Sequence, residues 1–242
     1  MGYPFNQKVY IMTTIADRLA LAQRRIAQAA QISSRNASEI KLLAVSKTKP
    51  IADIEQAYAA GQRCFGENYV QEGQQKAMEL TQRCPDIEWH FIGPLQSNKS
   101  RIVAEHFHWM HTLEREKIAR RLSEQRPEGM PPLEICIQIN VSGESSKAGI
   151  ATQSEMFELA SLVDSLPNLR LRGLMTIPSA GEGPRLEAEL SHMQQLFAEL
   201  KLKFPQVDTL SMGMSQDLEL AIAKGSTMVR VGSAIFGERN YG

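Results

Sequence analysis

Cysteine is scarce in this chain of 242 residues, which contains only Cys64, Cys84 and Cys136. The number is odd and no two of them form a C-x-x-C pair, so we expect neither a disulfide framework nor a cysteine-based zinc cluster. A reducing compartment therefore fits this composition better than an oxidising one.

Long apolar runs are absent as well. No run approaches the roughly 18 residues that a membrane-spanning helix needs, and residues 1–14 lack the apolar segment of a secretory signal. Gly2 does not indicate myristoylation, because Asn6 stands where that motif has Ser or Thr. We therefore expect a soluble cytoplasmic protein that has no membrane partner.

An excess of charge of either sign is also missing. The chain has 27 Lys and Arg residues against 27 Asp and Glu residues, for a formal net charge of zero. This balance argues against a broad surface for nucleic acid or anionic membrane, although it is compatible with a small local anion pocket. Hydrophobic residues make up 43% of the chain, which is enough for a full core.

Short apolar runs alternate with amphipathic stretches along the whole chain, and no Pro/Gly/Ser-rich linker interrupts them. A helical stretch at about 14–33 precedes eight strand candidates, and each candidate except the last is followed by a helical pattern. The strand candidates are 42–46, 63–66, 89–93, 107–111, 134–141, 170–177, 209–212 and 227–231.

Such alternation predicts a parallel sheet. Eight units favour a single (β/α)8 TIM barrel with an extra N-terminal helix, spanning residues 14–242. A doubly wound open sheet is the alternative, because strand order cannot be read from one sequence. Residues 1–13 are expected to be an N-terminal extension, to which we assign no role.

Two helix starts carry recognisable capping residues. Thr152 and Glu155 form a T-x-x-E capping box. Ser215 is expected to cap the seventh helix, with Asp217 in its first turn and Gly225 after its end.

Lys47 is a candidate nucleophile. It directly follows the first predicted strand, and functional groups of these barrels lie at the carboxyl ends of the strands. Partial burial there would lower the pKa of the amine and allow it to form Schiff bases with aldehydes. A solvated lysine at a strand end is the alternative interpretation.

The loops after the last two strands are candidates for an anion site. Ser211, Ser215, Gly232 and Ser233 are small residues whose backbone N–H groups and hydroxyls could approach a phosphate, at the place where such barrels often bind one. A helix cap and a permissive turn would explain the same residues. Arg230 lies within the last predicted strand, where a charge must be paired or directed into a site.

Six segments of the chain resemble motifs of the pyridoxal phosphate homeostasis proteins, the YggS/PROSC-like family, which is related to the alanine racemase N-terminal domain. They are 42–50 (LLAVSKTKP), 65–72 (FGENYVQE), 89–100 (WHFIGPLQSNKS), 173–178 (GLMTIP), 210–215 (LSMGMS) and 225–237 (GSTMVRVGSAIFG). The resemblance runs from about residue 14 to the end.

This resemblance implies that the cofactor is pyridoxal 5′-phosphate (PLP), held as a Schiff base on Lys47. It places Asn68 and His90 in the pocket lining and Met175 near the ring. It implies that Arg230 faces the pyridine nitrogen, where an arginine keeps that nitrogen unprotonated. The resemblance also assigns the phosphate cradle to Ser211, Ser215, Gly232 and Ser233.

The function that the resemblance implies is PLP, or vitamin B6, and amino-acid homeostasis. Alanine racemases add a β domain that supplies a tyrosine base, whereas here only a short tail follows Val231 and no tyrosine ends a predicted strand. Because racemisation needs bases on both faces of the substrate, we expect a PLP carrier or buffer without turnover. It would be monomeric and could deliver PLP to apo-enzymes.

Three other functions remain open. The first is a weak PLP-dependent amino-acid racemase that uses Lys47 as one base, and the second is a Schiff-base aldolase without cofactor. The third is a metal-dependent hydrolase, since His106, His108 and His111 cluster and H-x-H can chelate zinc. No convergent carboxylates accompany these histidines, and His106 and His108 are expected at the rim opposite the predicted site.

Overall fold

The computed structural model describes residues 13–238, so most of the extension predicted at 1–13 lies outside the described residues. The eight strands are β1 (Lys41–Val45), β2 (Cys64–Glu67), β3 (Glu88–Phe91), β4 (Trp109–Leu113), β5 (Leu133–Ile139), β6 (Leu169–Thr176), β7 (Thr209–Ser211) and β8 (Met228–Val231). The helices are α1 (Ile15–Ile32), α2 (Ile51–Ala59), α3 (Val70–Leu80), α4 (Ser100–His106), α5 (Glu116–Gln125), α6 (Gln153–Ser165), α7 (Pro184–Lys203), α8 (Leu218–Ala223) and α9 (Ser233–Phe236).

The sheet closes on itself. All neighbouring strands are parallel and follow sequence order, and β8 pairs with β1 with Arg230 opposite Leu43. The predicted (β/α)8 barrel is therefore confirmed. An open doubly wound sheet is excluded, because the last strand pairs with the first and each of the eight described strands has two hydrogen-bonded neighbours.

Alternation along the strands separates two buried regions. Outward-facing residues such as Ala44, Phe91 and Val229 belong to the main hydrophobic core beneath the helices. Inside the barrel, the described apolar residues form two small clusters, Leu43 with Ile92 and Met228, and Trp109 with Cys136 and Met175. Buried polar residues share this interior, namely His90, His111, Ser211 and Arg230.

Helix α1 precedes the barrel, as the sequence predicts. Thr14 caps it through a capping box with Asp17, and its apolar face includes the buried residues Ile15, Leu19 and Ile26. The helix packs against α8 and α9, the two helices nearest the loops that follow β7 and β8.

One of the two predicted caps is correct. Thr152 and Glu155 form the expected capping box at the start of α6. The prediction for Ser215 is wrong, because α8 begins at Leu218 and Asp217 is its N-cap residue. The Asp217 carboxylate accepts the N–H of Met214 at 2.6 Å, which closes a turn over residues 214–217 and places Ser215 before the helix.

A short helix that the apolar pattern did not predict follows the last strand. Helix α9 has four residues and begins at Ser233, directly after Gly232. Four residues are about one helical turn, which is too short for a helical period to show in sequence. Within residues 13–238, no helix has both the length and the apolar character needed to cross a bilayer.

Candidate functional site

A cavity of about 580 Å³ opens at the carboxyl ends of the strands. This volume is in the range of small-molecule sites. The predicted site residues that line it are Lys47, Asn68, Met175, Ser215, Arg230, Gly232 and Ser233. The closed sheet thus brings Lys47, which follows β1, next to the loops that follow β7 and β8, and Lys49 and Lys147 line the same cavity.

A tight turn positions Lys47. The N–H of Lys49 donates to the carbonyl of Ser46 at 3.0 Å, so Lys47 and Thr48 occupy the two central positions of a β-turn. Thr48 has φ of +62°, a left-handed conformation that is rare for a β-branched residue. Its N–H donates to the carboxylate of Glu72 at 2.6 Å, which stabilises this unusual backbone.

A buried ionic cluster supports that turn from below. The Nζ of Lys76 donates to the carbonyl of Ser46 at 2.8 Å, to Glu67 at 2.8 Å and to Glu72 at 2.6 Å. The hydroxyl of Ser46 also donates to Glu67, at 2.6 Å. Burial raises the pKa of Glu67, while the positive charge of Lys76 opposes that rise. The cluster therefore connects β1, β2 and α3 directly beneath Lys47.

Sequence reasoning missed this cluster. Glu67 and Glu72 were part of the segment 65–72 used for the resemblance, and Lys76 follows Glu72 at the i,i+4 spacing of a helical ion pair. That spacing was the available signal. It could not show that the pair faces inward and reaches Ser46.

Asn68 directly follows β2 and lies on the cavity wall. Its Oδ1 is buried and has no hydrogen-bond partner within residues 13–238. Gly93 lets the loop after β3 approach Asn68 closely, because a Cβ atom at that position would lie 1.9 Å from the Asn68 carbonyl oxygen. The wall thus contains an acceptor without a partner, held by close backbone packing.

Arg230 is a buried cation on the cavity wall, only 4% exposed. It donates from Nη1 to the Oγ of Ser211 at 2.8 Å and from Nη2 to the carbonyl of Thr176 at 2.9 Å. Burial lowers the pKa of the guanidinium to about 10, so it remains charged at neutral pH. Within the described part of the chain, no carboxylate forms an ion pair with it. A buried charge without such a counter-ion is costly, as is typical of binding sites.

Small residues form another part of the wall. Ser215, Gly232 and Ser233 line the cavity, and α9 begins at Ser233. The first N–H groups of a helix have no partner within the helix, so they are available to an anion. Barrels of this kind often bind phosphate at the loops after the last two strands.

Helix α1 supports this wall through two arginines. Arg18 donates from Nε to the carbonyl of Ile235 in α9 at 2.6 Å. Arg25 donates from Nη2 to the carbonyl of Ser215 at 3.0 Å and also pairs with Glu219 of α8 at 2.8 Å. The extra helix therefore contacts both loops that could hold an anion.

The structure does not place His90 and Ser211 on the cavity wall, where the resemblance had placed them. Both side chains are fully buried inside the barrel, because they point inward from β3 and from the end of β7. Ser211 lies directly beneath Arg230, and His90 lies deeper, beside Glu88 and His111.

The histidines considered for zinc have separate partners. His106 lies 3.1 Å from Gln74, His108 accepts the N–H of Trp89 at 2.9 Å, and His111 is in the barrel interior. The H-x-H pair therefore forms no chelating site with His111.

Another trio, Cys64, Glu88 and His90, has potential ligand atoms within 4.8 Å of one another. Burial raises the pKa of the Cys64 thiol to about 12. The positive charge of Lys41 acts on the same group of side chains. A protonated thiol and a neighbouring cation both disfavour a metal ion.

Comparison with known proteins defines the class to which this fold and site belong. The alanine racemase N-terminal domain family matches residues 19–240. The alanine racemase of Clostridium difficile 630 has a TM-score of 0.69 over 92% of this chain and 57% of that chain, at 14% identity, which shows a common fold. The chain is thus a barrel of the alanine racemase N-terminal type.

Closer relatives identify the family. The pyridoxal phosphate homeostasis protein of Vibrio cholerae is 54% identical over 95% of this chain and 98% of its own length. The pyridoxal phosphate homeostasis protein of Escherichia coli K12 is 55% identical over 95% of this chain and 99% of its own length. PipY of Synechococcus elongatus, solved with PLP bound, has a TM-score of 0.76 and 38% identity over 93% of this chain and 100% of its own. The chain therefore belongs to the pyridoxal phosphate homeostasis protein family.

Proposed function

We propose that this protein binds PLP reversibly at the barrel mouth, as a Schiff base on Lys47, and serves intracellular vitamin B6 and amino-acid homeostasis as a carrier or buffer. The observation that carries the proposal is one cavity that contains Lys47, the buried cation Arg230 and the small residues after β7 and β8. The PLP-bound structure of PipY supports the same ligand for this chain.

The groups around the cavity match the functional groups of PLP. Bound PLP would supply an aldehyde that condenses with an amine and releases water. Lys47 provides the amine, and the unpartnered Oδ1 of Asn68 is an acceptor that suits the ring hydroxyl. The remaining assignments are Met175 for the apolar wall, Ser215, Gly232 and Ser233 for the phosphate, and Arg230 for the pyridine nitrogen.

Arg230 argues for storage rather than catalysis. A charged guanidinium donates hydrogen bonds and cannot accept one, so it keeps a facing pyridine nitrogen unprotonated. An unprotonated ring withdraws electrons less strongly than a ring paired with a carboxylate. Such a site would hold the reactive aldehyde while giving little stabilisation to a substrate carbanion.

The described part of the chain places no tyrosine at the cavity to act as the second base. Residues 13–238 contain Tyr58 and Tyr69, and neither lines the cavity. Tyr58 hydrogen-bonds Asp86, and Tyr69 is exposed. We therefore propose a non-catalytic role, with a weak racemase that uses Lys47 as the second candidate.

The proposal extends to partners and place of action. PLP held by a reversible imine at an open mouth can be passed on, so we propose apo PLP-dependent enzymes in the cytoplasm as recipients. One chain supplies every residue assigned above, so we propose that the protein acts as a monomer.

An absorption spectrum tests the central assignment. We expect PLP to produce a visible band with the wild-type protein, and we expect Lys47→Ala to abolish it. After borohydride reduction, peptide mapping should find the cofactor on Lys47. Lys201→Ala, on the exposed end of α7, is the matched control and should keep the band. A band that survives in Lys47→Ala, or an adduct on another lysine, would contradict the assignment.

Deuterium exchange separates the carrier from the racemase. The PLP-loaded protein is incubated with L-alanine in deuterated water, and we expect no enzymatic incorporation of deuterium at the α-carbon. Incorporation at a useful rate would favour the racemase. A protein that shows no visible band even after PLP is added would instead favour the cofactor-free aldolase.

A further inference from the structure

A continuous chain of polar contacts runs through the barrel interior up to the cavity wall. It begins at Glu88, the first residue of β3, and ends at Arg230 in β8. Successive atoms lie 2.8–2.9 Å apart, and the links are Glu88 Oε1 to His90 Nε2, His90 Nδ1 to His111 Nε2, His111 Nδ1 to Ser211 Oγ, and Ser211 Oγ to Arg230 Nη1.

The hydrogens in this chain can be assigned from its two ends. Arg230 can only donate, so the Oγ of Ser211 accepts its N–H and the hydroxyl hydrogen is available for Nδ1 of His111. An ionised Glu88 can only accept, so Nε2 of His90 carries a hydrogen. A neutral imidazole has one hydrogen, which makes Nδ1 of His90 the acceptor for the Nε2–H of His111.

The protonation states that this assignment requires follow from the surroundings. Burial lowers the pKa of His90 and, together with the charge of Arg230, lowers the pKa of His111 well below its usual value. Burial opposes ionisation of Glu88, but the hydrogen bond from His90 and the nearby charge of Lys41 hold its pKa below the usual value. Both imidazoles are therefore neutral and Glu88 is ionised near neutral pH.

We propose that Glu88, His90, His111 and Ser211 form a one-way hydrogen-bond chain that positions Arg230 toward the bound cofactor. Every donor in the chain points away from the cavity, from Arg230 toward Glu88. The inference rests on the proposed function, in which Arg230 faces the pyridine nitrogen, and it names the residues that hold the guanidinium there.

The hydrogen-bond chain determines which N–H and O–H donors are available to a ligand in the cavity. Arg230 uses two of its N–H groups on Ser211 and on the carbonyl of Thr176, so its other N–H groups remain for a ligand. The hydroxyl hydrogen of Ser211 is committed to His111 and cannot reach a phosphate. This gives Ser211 a positioning role in place of the phosphate contact that the resemblance implied.

Measuring the tautomers of His90 and His111 tests the hydrogen-bond chain in the absence of PLP. The protein has five histidines, and 15N-labelled imidazoles can be assigned with His90→Gln and His111→Gln variants. In the PLP-free wild-type protein near neutral pH, we expect both residues to carry hydrogen on Nε2 and none on Nδ1. A hydrogen on Nδ1 of either residue, or a doubly protonated ring, would overturn the proposal.

The affinity for PLP tests whether the hydrogen-bond chain positions Arg230. His111→Phe keeps a ring but removes both nitrogens, and we expect the Kd for PLP to rise about tenfold, as for the loss of one hydrogen bond at a charged group. His111→Gln, which keeps a donor and an acceptor, should recover most of the affinity. Met228→Leu, an apolar change in the barrel interior, is the matched control and should leave the Kd unchanged.

The two proposals fail in different ways. A wild-type protein that binds no PLP overturns the proposed function and, with it, the role of Arg230. If the protein binds PLP but His90 or His111 has a different tautomer, only the hydrogen-bond chain is overturned. Equal affinities for His111→Phe and Met228→Leu do the same, even where the tautomers are those expected.

Discussion

Single residues at the mouth depend on neighbours that are distant in sequence. Lys47 lies in a turn whose unusual Thr48 conformation is stabilised by Glu72, on a different element. Non-glycine residues held in sparsely populated backbone regions are often found at functional sites, because the surrounding contacts must maintain them. Here the contacts are those of the Lys76 cluster beneath the turn.

The turn can be tested through Glu72. Glu72→Ala removes the hydrogen bond that the Thr48 N–H donates and one contact of Lys76. We expect the Kd for PLP to rise about tenfold, which corresponds to the free energy of one charge-assisted hydrogen bond. A PLP titration measures this. Glu79→Ala, on the exposed side of the same helix, is the control. Equal affinities for the two variants would show that Glu72 does not position Lys47.

The sequence predicted a role at the site for some of the charged residues near it and not for others. Lys47 and Arg230 were predictable, because a charge at the end of a strand or within one is a local anomaly in an apolar run. Lys76 gave no comparable signal, since a charged residue in a helix is normally solvated, and nothing near Glu67 in the sequence identified Lys76 as its partner. Their burial follows from where α3 packs on the barrel.

Among the elements, α1 has a structural task that its position in the chain does not reveal. Its sequence predicts only an amphipathic helix before the first strand. In the structure its arginines reach the backbone of the loops after β7 and β8, at Ser215 and Ile235. The helix thereby joins the first part of the chain to the wall assigned to the phosphate.

Arg25 provides the test of that task. Arg25→Ala removes the bond to the Ser215 carbonyl and a half-exposed ion pair with Glu219, so we expect at most about 1 kcal/mol of lost stability. We also expect a several-fold rise in the Kd for PLP, because the loop loses its support. Urea unfolding and PLP titration measure the two effects. Arg24→Ala, on the exposed face of α1, should change neither.

Short elements were the least predictable. The length of α9 gives no periodic signal, and Ser215 looked like a helix cap because Asp217 was expected inside the first turn rather than at its start. Longer elements with a clear period, such as α7, were correctly expected. Periodicity needs several repeats before it can distinguish a helix from a turn.

For the molecule as a whole, closure of the barrel is what creates the site. Pairing of β1 with β8 brings the loop after Lys47 beside Gly232, where an added Cβ would lie 3.3 Å from the carbonyl oxygen of Val45. The two halves of the cavity are separated by most of the chain. The site can therefore exist only in the folded state, and a ligand that binds there stabilises the fold by mass action.

Thermal unfolding tests this linkage. At a PLP concentration about 100 times the Kd, binding should add about 2.7 kcal/mol of stability. For a domain of this size we expect the Tm to rise by roughly 5–10 °C. Lys47→Ala at the same PLP concentration should show a much smaller rise. An equal rise in both proteins would mean that PLP stabilises the fold from a different site.

Local sequence was sufficient for the number of βα units, the placement of most helices and the position of Lys47 and Arg230 at strand ends. These features depend on residues within a few positions of one another, since apolar period and charge in an apolar run are short-range properties. The resemblance added the cofactor and the predicted site residues, of which His90 and Ser211 are buried inside the barrel and the other seven line the cavity.

Strand closure, the Lys76 cluster and the partners of Arg230 became visible only in three dimensions. His111 and Ser211 are 100 residues apart in sequence, and Arg18 and Ile235 are 217 apart. Which polar atoms meet inside a barrel depends on the register of all eight strands together. No local sequence pattern determines that register, because the register of each strand depends on both of its neighbours. In the closed barrel, β8 is also a neighbour of β1.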